Sequence, residues 1–246
     1  MPTITDSITT ADGTCPVTLC TPDGDGPWPG VVMYPDAAGR RQVIVEMAEK
    51  LAGFGYAVLV PDIYYRSGEW APFDITTAFA DEKERERLMS MMGSVTPEIM
   101  AADATAFFDY LEARPEVSGT TFGTTGYCMG GRTSLVVAGR VPERVAAAMS
   151  FHGGGPASDD PGSPHLLADQ MRAAVYVAGA ENDRSFTPEA AETLDKALTA
   201  AGVEHTIETY PAAHGFAVHD HGDIYDPDAA ARHYDAMKSF FGAKLG

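Results

Sequence analysis

The chain has 246 residues, enough for one large α/β domain with its own core, and the expected unit is a single domain over residues 1–246. Acidic residues outnumber basic ones by 35 to 17, and the formal net charge is −18. Such a surface repels phosphates, which argues against nucleic acid and anionic membranes as partners.

The start, Met1-Pro2-Thr3-Ile4-Thr5-Asp6, has neither a basic region nor an apolar run, so no signal peptide is read there. No apolar run reaches membrane-spanning length. A cytoplasmic protein is expected, working as a monomer or a homodimer. Three cysteines are too few for a disulfide framework.

Ile4 to Thr9 and Thr14 to Thr21 form a predicted hairpin joined by Ala11-Asp12-Gly13. Cys15 and Cys20 lie on its second strand. Their odd separation places them on opposite faces, so they do not pair with each other. After a loop at Asp23-Gly24-Asp25-Gly26-Pro27, Gly30 to Tyr34 is a short apolar strand of the buried kind. Gln42 to Phe54 follows as a helix, with Val43, Met47, Leu51 and Phe54 on one face and Gly55 ending it. Tyr56 to Val60 is the next strand, closed by Pro61-Asp62.

Residues 62–79 form a long irregular connection, the kind that often carries function. Its aromatics Tyr64, Tyr65, Trp70 and Phe73 either wall a pocket or pack the loop down. Helices are predicted over Asp81 to Met92 and Pro97 to Ala113. In the first, Glu82, Glu84 and Glu86 alternate with Lys83, Arg85 and Arg87, which reads as a solvated face. A strand over Thr120 to Gly126 leads through Cys128 to a helix over Arg132 to Arg140. Val145 to Phe151 and Arg172 to Ala178 are strands, and Pro188 to Ala201 is a helix ended by Gly202. Glu204 to Tyr210 is the last strand and Asp228 to Phe241 the closing helix. Alternating strands and helices predict a mostly parallel sheet with helices on both faces and a ligand site beyond the carboxyl ends of the strands.

Gly126-Tyr127-Cys128-Met129-Gly130-Gly131 has the form of a strand-to-helix turn that lifts a nucleophile above the sheet. The strand Arg172 to Ala178 runs into Gly179-Ala180-Glu181-Asn182-Asp183. The last strand runs into Pro211-Ala212-Ala213-His214-Gly215-Phe216. A thiol, a carboxylate and an imidazole thus reach one edge of the sheet in the chain order of an α/β-hydrolase. A thiolate attacks a carbonyl, an imidazole handles its proton, and a carboxylate orients the imidazole. Cys128, His214 and Asp183 are assigned these roles, with Glu181 on the same loop as the alternative acid. The backbone N–H groups of Met129 and Ala37 are assigned to the oxyanion. This chemistry needs no cofactor.

Together these stretches, with Pro61-Asp62-Ile63-Tyr64, make the chain resemble the dienelactone hydrolase family over residues 14–242. The resemblance implies a Cys-Asp-His triad at Cys128, Asp183 and His214, acting on unsaturated lactones of the carboxymethylenebutenolide type or on other esters. It also implies an auxiliary acid touching the thiol. That position is Asp36, an aspartate where the family has glutamate, and the other reading is an aspartate bonding its own loop. Of two family arginines that hold a substrate carboxylate, Arg85 or Arg87 matches one, and Val218 stands where the other would be.

His152, at the end of the strand Val145 to Phe151, is either a substrate-binding residue or plain loop, and Tyr64 is a further candidate for the substrate wall. His219-Asp220-His221-Gly222-Asp223 lacks the spacing of a common zinc motif, so it is read as a solvated loop and no metal is assigned. Two rival functions remain: a broad-range carboxylesterase or thioesterase using the same residues, and a binding or redox-sensing protein on the same fold.

Overall fold

In a computed structural model covering residues 1–246, eight strands form one sheet. They are β1 (Thr3–Thr10), β2 (Gly13–Cys20), β3 (Trp28–Tyr34), β4 (Ala57–Pro61), β5 (Val117–Tyr127), β6 (Val145–Phe151), β7 (Ala174–Asn182) and β8 (His205–Ala213). Their spatial order is β1-β2-β4-β3-β5-β6-β7-β8. The β1–β2 hairpin and its contact with β4 are antiparallel, and every other pairing is parallel. Six α-helices flank the sheet: α1 (Gln42–Ala52), α2 (Glu82–Gly93), α3 (Pro97–Glu112), α4 (Met129–Arg140), α5 (Pro188–Ala200) and α6 (Pro227–Lys244).

The apolar side chains sort onto the two sides of this sheet. Phe107 and Phe108 of α3, Leu135 and Val137 of α4, and Leu194 of α5 share one core with Val32 and Leu59. Ile44 and Leu51 of α1 and Met237 and Phe241 of α6 share the other with Val31 and Val58. Consecutive residues of β3 and β4 thus point into opposite cores, as the two-residue period of a strand demands. Cys15 packs into the first core and Cys20 into the second, both as free thiols, as their spacing predicts.

Two differences from the sequence reading bear on the site. Helix α4 begins at Met129, three residues earlier than expected, because Gly130 and Gly131 are helical despite their low propensity. A Cβ on Gly130 would collide with the carbonyls of Tyr34 and Pro35, so the close approach of helix to sheet requires glycine there. Strands β7 and β8 also run further than expected, to Asn182 and Ala213, with an irregular register at their ends. Pro211 is tolerated because β8 is an edge strand. A short 3-10 helix at Pro164–Gln170, absent from the sequence reading, packs between α4 and α5.

Candidate active site

Cys128 joins β5 to α4 at φ 52° and ψ −116°, a left-handed conformation that costs a non-glycine residue energy. Surrounding packing enforces it. A side chain on Gly126 would collide with the Gly130 carbonyl, and one on Gly131 would meet Ser150 Oγ. The Cys128 amide donates to Phe151 O at 3.1 Å, and its carbonyl accepts from Arg132 and Gly154. The turn is therefore pinned on both sides and holds the thiol at the carboxyl edge of the sheet.

The loops after β7 and β8 bring Asp183 and His214 together. Nδ1 of His214 donates to Oδ2 of Asp183 at 2.7 Å. Oδ1 of the same carboxylate accepts from the Ser185 amide at 2.8 Å and the Ser185 hydroxyl at 2.6 Å. Glu181, the alternative acid, is solvent-exposed, whereas Asp183 is buried. Burial raises the Asp183 pKa, but the bonds from His214 and Ser185 outweigh it and hold the group below its ordinary value. Burial likewise pushes the His214 imidazole down, and its interactions with Asp183 and Cys128 more than reverse this, lifting it to about 10. His214 therefore holds its proton more tightly than a free imidazole, with Asp183 and Cys128 as the groups that favour it.

Cys128 and His214 open into one cavity of about 590 Å³. Asp36 and Ala37 form its β3 side. Ile75, Thr76 and Phe79 come from the long connection, and His221, Gly222, Asp223 and Ile224, next to Asp36 and Thr76, complete the wall. The Ala37 amide donates to no protein acceptor, while Ala38 N–H bonds Asp36 Oδ1 and Gly39 N–H bonds Asp36 O. Met129, the first residue of α4, has no acceptor within the helix for its N–H. Tyr64 is buried behind this loop and donates its hydroxyl to Ala37 O at 2.9 Å. It steadies the backbone and does not line the cavity.

Several expected neighbours lie elsewhere. The Asp36 carboxylate does not bond Cys128. Oδ1 accepts from Ala38 N–H and from Arg41 Nη1 at 2.6 Å, and Oδ2 from Arg41 Nη2 at 2.9 Å and His221 Nε2 at 3.0 Å. Burial favours the neutral acid, but His221 and Arg41 dominate and hold the group far below the usual carboxylate range. With four donors on its two oxygens, it is fixed as an anion.

His221 is buried, not part of a solvated loop as its sequence suggested, because this carboxylate captures it. His219 turns outward to Glu46 at 3.3 Å. Arg85 is exposed on α2, and Arg87 pairs with Glu84 and lies over the Phe73 ring, so neither reaches the cavity. Val218 is fully buried in the α1–α6 core. His152 is also fully buried, at φ 39°, its ring edge-on to His214 at 5.2 Å and Phe216 at 5.0 Å. Burial holds it neutral, and it stands behind His214, away from the cavity. Tyr64, Trp70 and Phe73 pack on one another, and Trp70 Nε1 donates to Asp62, so these aromatics fasten the connection down.

The family model described as "Dienelactone hydrolase family" matches residues 15–245. The chain belongs to the dienelactone hydrolase family. A curated relative from Synechocystis sp., named "Putative carboxymethylenebutenolidase", is 27% identical over 231 residues, covering 92% of this chain and 91% of its own. A structure from metagenomic libraries, called a dienelactone hydrolase-like promiscuous phosphotriesterase, is 25% identical with a TM-score of 0.77, covering all of both chains. The dienelactone hydrolase of Anabaena variabilis shares the fold, at a TM-score of 0.69 and 17% identity, covering 100% of this chain and 99% of its own. The fold is thus that of the α/β-hydrolases, and membership makes the chain a hydrolase of the carboxylic ester and lactone class. No helix is long and apolar enough to cross a membrane.

Proposed function

We propose that residues 1–246 act as one domain that hydrolyses a small ester or lactone, of the carboxymethylenebutenolide type or a simpler ester, through a cysteinyl acyl-enzyme. The Cys128 thiolate attacks the carbonyl carbon, and the carbonyl oxygen takes up negative charge between the Met129 and Ala37 amides. His214 Nε2–H protonates the departing alkoxide, the C–O bond breaks, and a thioester remains on Sγ. In a lactone the freed hydroxyl stays attached to the acyl group. His214, now neutral, accepts a proton from water, whose oxygen attacks the thioester. The S–C bond then breaks, the acid leaves, and the thiolate and imidazolium are restored. Asp183 holds the Nδ1–H tautomer and the imidazolium charge throughout.

One observation carries this reading: the 2.7 Å Asp183–His214 bond on an imidazole that faces the same cavity as Cys128. The test is the initial rate on p-nitrophenyl acetate and on cis- and trans-dienelactone, for the wild type and Cys128→Ala. Turnover that falls about 10³-fold or more in the variant is expected. Rates that do not depend on Cys128 would overturn the proposal. Substrate breadth in the same assay separates a lactonase from a broad-range carboxylesterase or thioesterase. A redox-sensing or binding role is less well supported, because sensing by Cys128 requires neither Asp183 nor the Ser185 bonds that hold it.

A further inference from the structure

Whatever lies beside the scissile carbonyl must rest against the cavity wall, so the charge of that wall selects the substrate. The wall holds two carboxylates, Asp36 and Asp223, and no lysine or arginine. Its basic side chains are two imidazoles, His214, which already bonds Asp183, and His221, which already bonds Asp36. Arg41 lies just behind the wall but has nothing left to offer. A guanidinium carries five N–H donors. In Arg41, Nε and one Nη2 hydrogen go to Asp220 at 2.6 and 2.8 Å, one hydrogen from each Nη goes to Asp36, and the remaining Nη1 hydrogen goes to Gly39 O at 3.1 Å. Two carboxylates thus flank one cation, leaving this corner without surplus positive charge, in a chain of net charge −18.

The mouth is apolar. Phe79 and Ile224 are 52% and 47% exposed, and both line the cavity. A carboxylate drawn in beside the scissile carbonyl would leave water, and with the Met129 and Ala37 amides turned to the carbonyl oxygen it would meet no lysine or arginine to replace it. An uncharged chain would instead cover Phe79, Ile224 and Ile75.

Resting on the hydrolase reading above, we infer that the cavity selects uncharged esters or lactones with an apolar group at Phe79 and Ile224, and discriminates against substrates bearing a carboxylate. The corresponding test compares kcat/KM for a carboxylate-bearing dienelactone and its methyl ester, with p-nitrophenyl acetate as an independent report of Cys128-dependent hydrolysis. The methyl ester should lead by about tenfold or more, the scale of one missing charge-assisted hydrogen bond. Ile224→Arg, at an exposed position, should shift that ratio toward the acid by about tenfold. If the acid is turned over as fast as its methyl ester, or if Ile224→Arg leaves the ratio unmoved, the inference falls while acetate cleavage leaves the hydrolase reading standing. If no substrate shows Cys128-dependent turnover, both fall together.

Discussion

Two aspartate–histidine pairs face the same cavity, and they differ in everything except their chemistry. Asp183 and His214 meet at 2.7 Å, and Asp36 and His221 at 3.0 Å. In the first pair the carboxylate is steadied by neutral Ser185 donors, and the imidazole presents its far side to a thiol. In the second, Arg41 takes both oxygens of the carboxylate, and Gly215 presses against His221 Nδ1, where any side chain would collide. The first pair has a thiol beside its imidazole, and the second imidazole bonds only its carboxylate. A carboxylate–imidazole bond alone therefore does not mark a catalytic pair; what lies on the open side of the ring decides.

The largest effect should come from Asp183→Asn. The amide side chain favours the wrong imidazole tautomer, so kcat should fall by about 10³- to 10⁴-fold. Asp36→Asn should act on stability and spare kcat. It leaves Arg41 facing a neutral partner in a buried site, which lowers stability while the reacting groups stay in place. A chemical denaturation series measures one effect and a steady-state assay the other. Equal kcat losses in both variants would erase the distinction between the pairs.

This contrast also explains what the sequence made legible. Cys128 and His214 each follow a strand close to a glycine, and Asp183 follows a strand that also ends in Glu181, so local pattern points to three strand ends without choosing between the two acids. The starts of α3 and α5 are equally local, with Thr96-Pro97 and Thr187-Pro188 as cap and first residue. The Asp36–His221 contact joins residues 185 positions apart, and no local pattern announces it. Arg41 gives no sign in Gly39-Arg40-Arg41-Gln42 of which arginine turns inward. His152 misled for a related reason: the end of a strand fixes where a residue sits, but its left-handed backbone turned the ring into the core.

Next in size is Arg41→Met. Side-chain exposures of 8% for Arg41 and 1% for Asp36 make this a buried pair, and breaking one costs about 3–5 kcal/mol. In a chain of this length that lowers Tm by about 2–4 °C per kcal/mol, readable by calorimetry. A shift below a degree would mean that water replaces the guanidinium without loss.

The pairs should also separate by pH. Asp36 is depressed from 3.8, so its contribution to stability is present above that value and is lost as pH falls through the lower folded value. His214 is raised from 6.5 to about 10, so the folded state retains a proton that the unfolded state releases between those values. Its contribution is complete below pH 6.5 and disappears as pH rises toward 10. Urea denaturation from pH 6 to 10 should therefore show a decline that flattens in Asp183→Asn and persists in Arg41→Met. A decline of equal slope in both variants would assign it to other groups.

The smallest expected effect tests why the first pair stays orderly without an arginine. Ser185 gives Asp183 Oδ1 two hydrogen bonds, but only the hydroxyl one at 2.6 Å depends on the side chain. Ser185→Ala removes that bond and keeps the amide at 2.8 Å, so the carboxylate loses one neutral donor, worth about 0.5–1.5 kcal/mol. The result should be a kcat loss of about twofold to tenfold, with KM nearly unchanged because Ser185 is absent from the cavity wall. The same deletion removes one of the bonds holding the Asp183 pKa down, so the carboxylate should titrate at a higher pH and the acid limb of the rate profile should move upward with it. A kcat loss without that movement would mean that Ser185 only packs the loop. Both together would show that two neutral donors do for Asp183 what Arg41 does for Asp36, while leaving His214 free to exchange its proton.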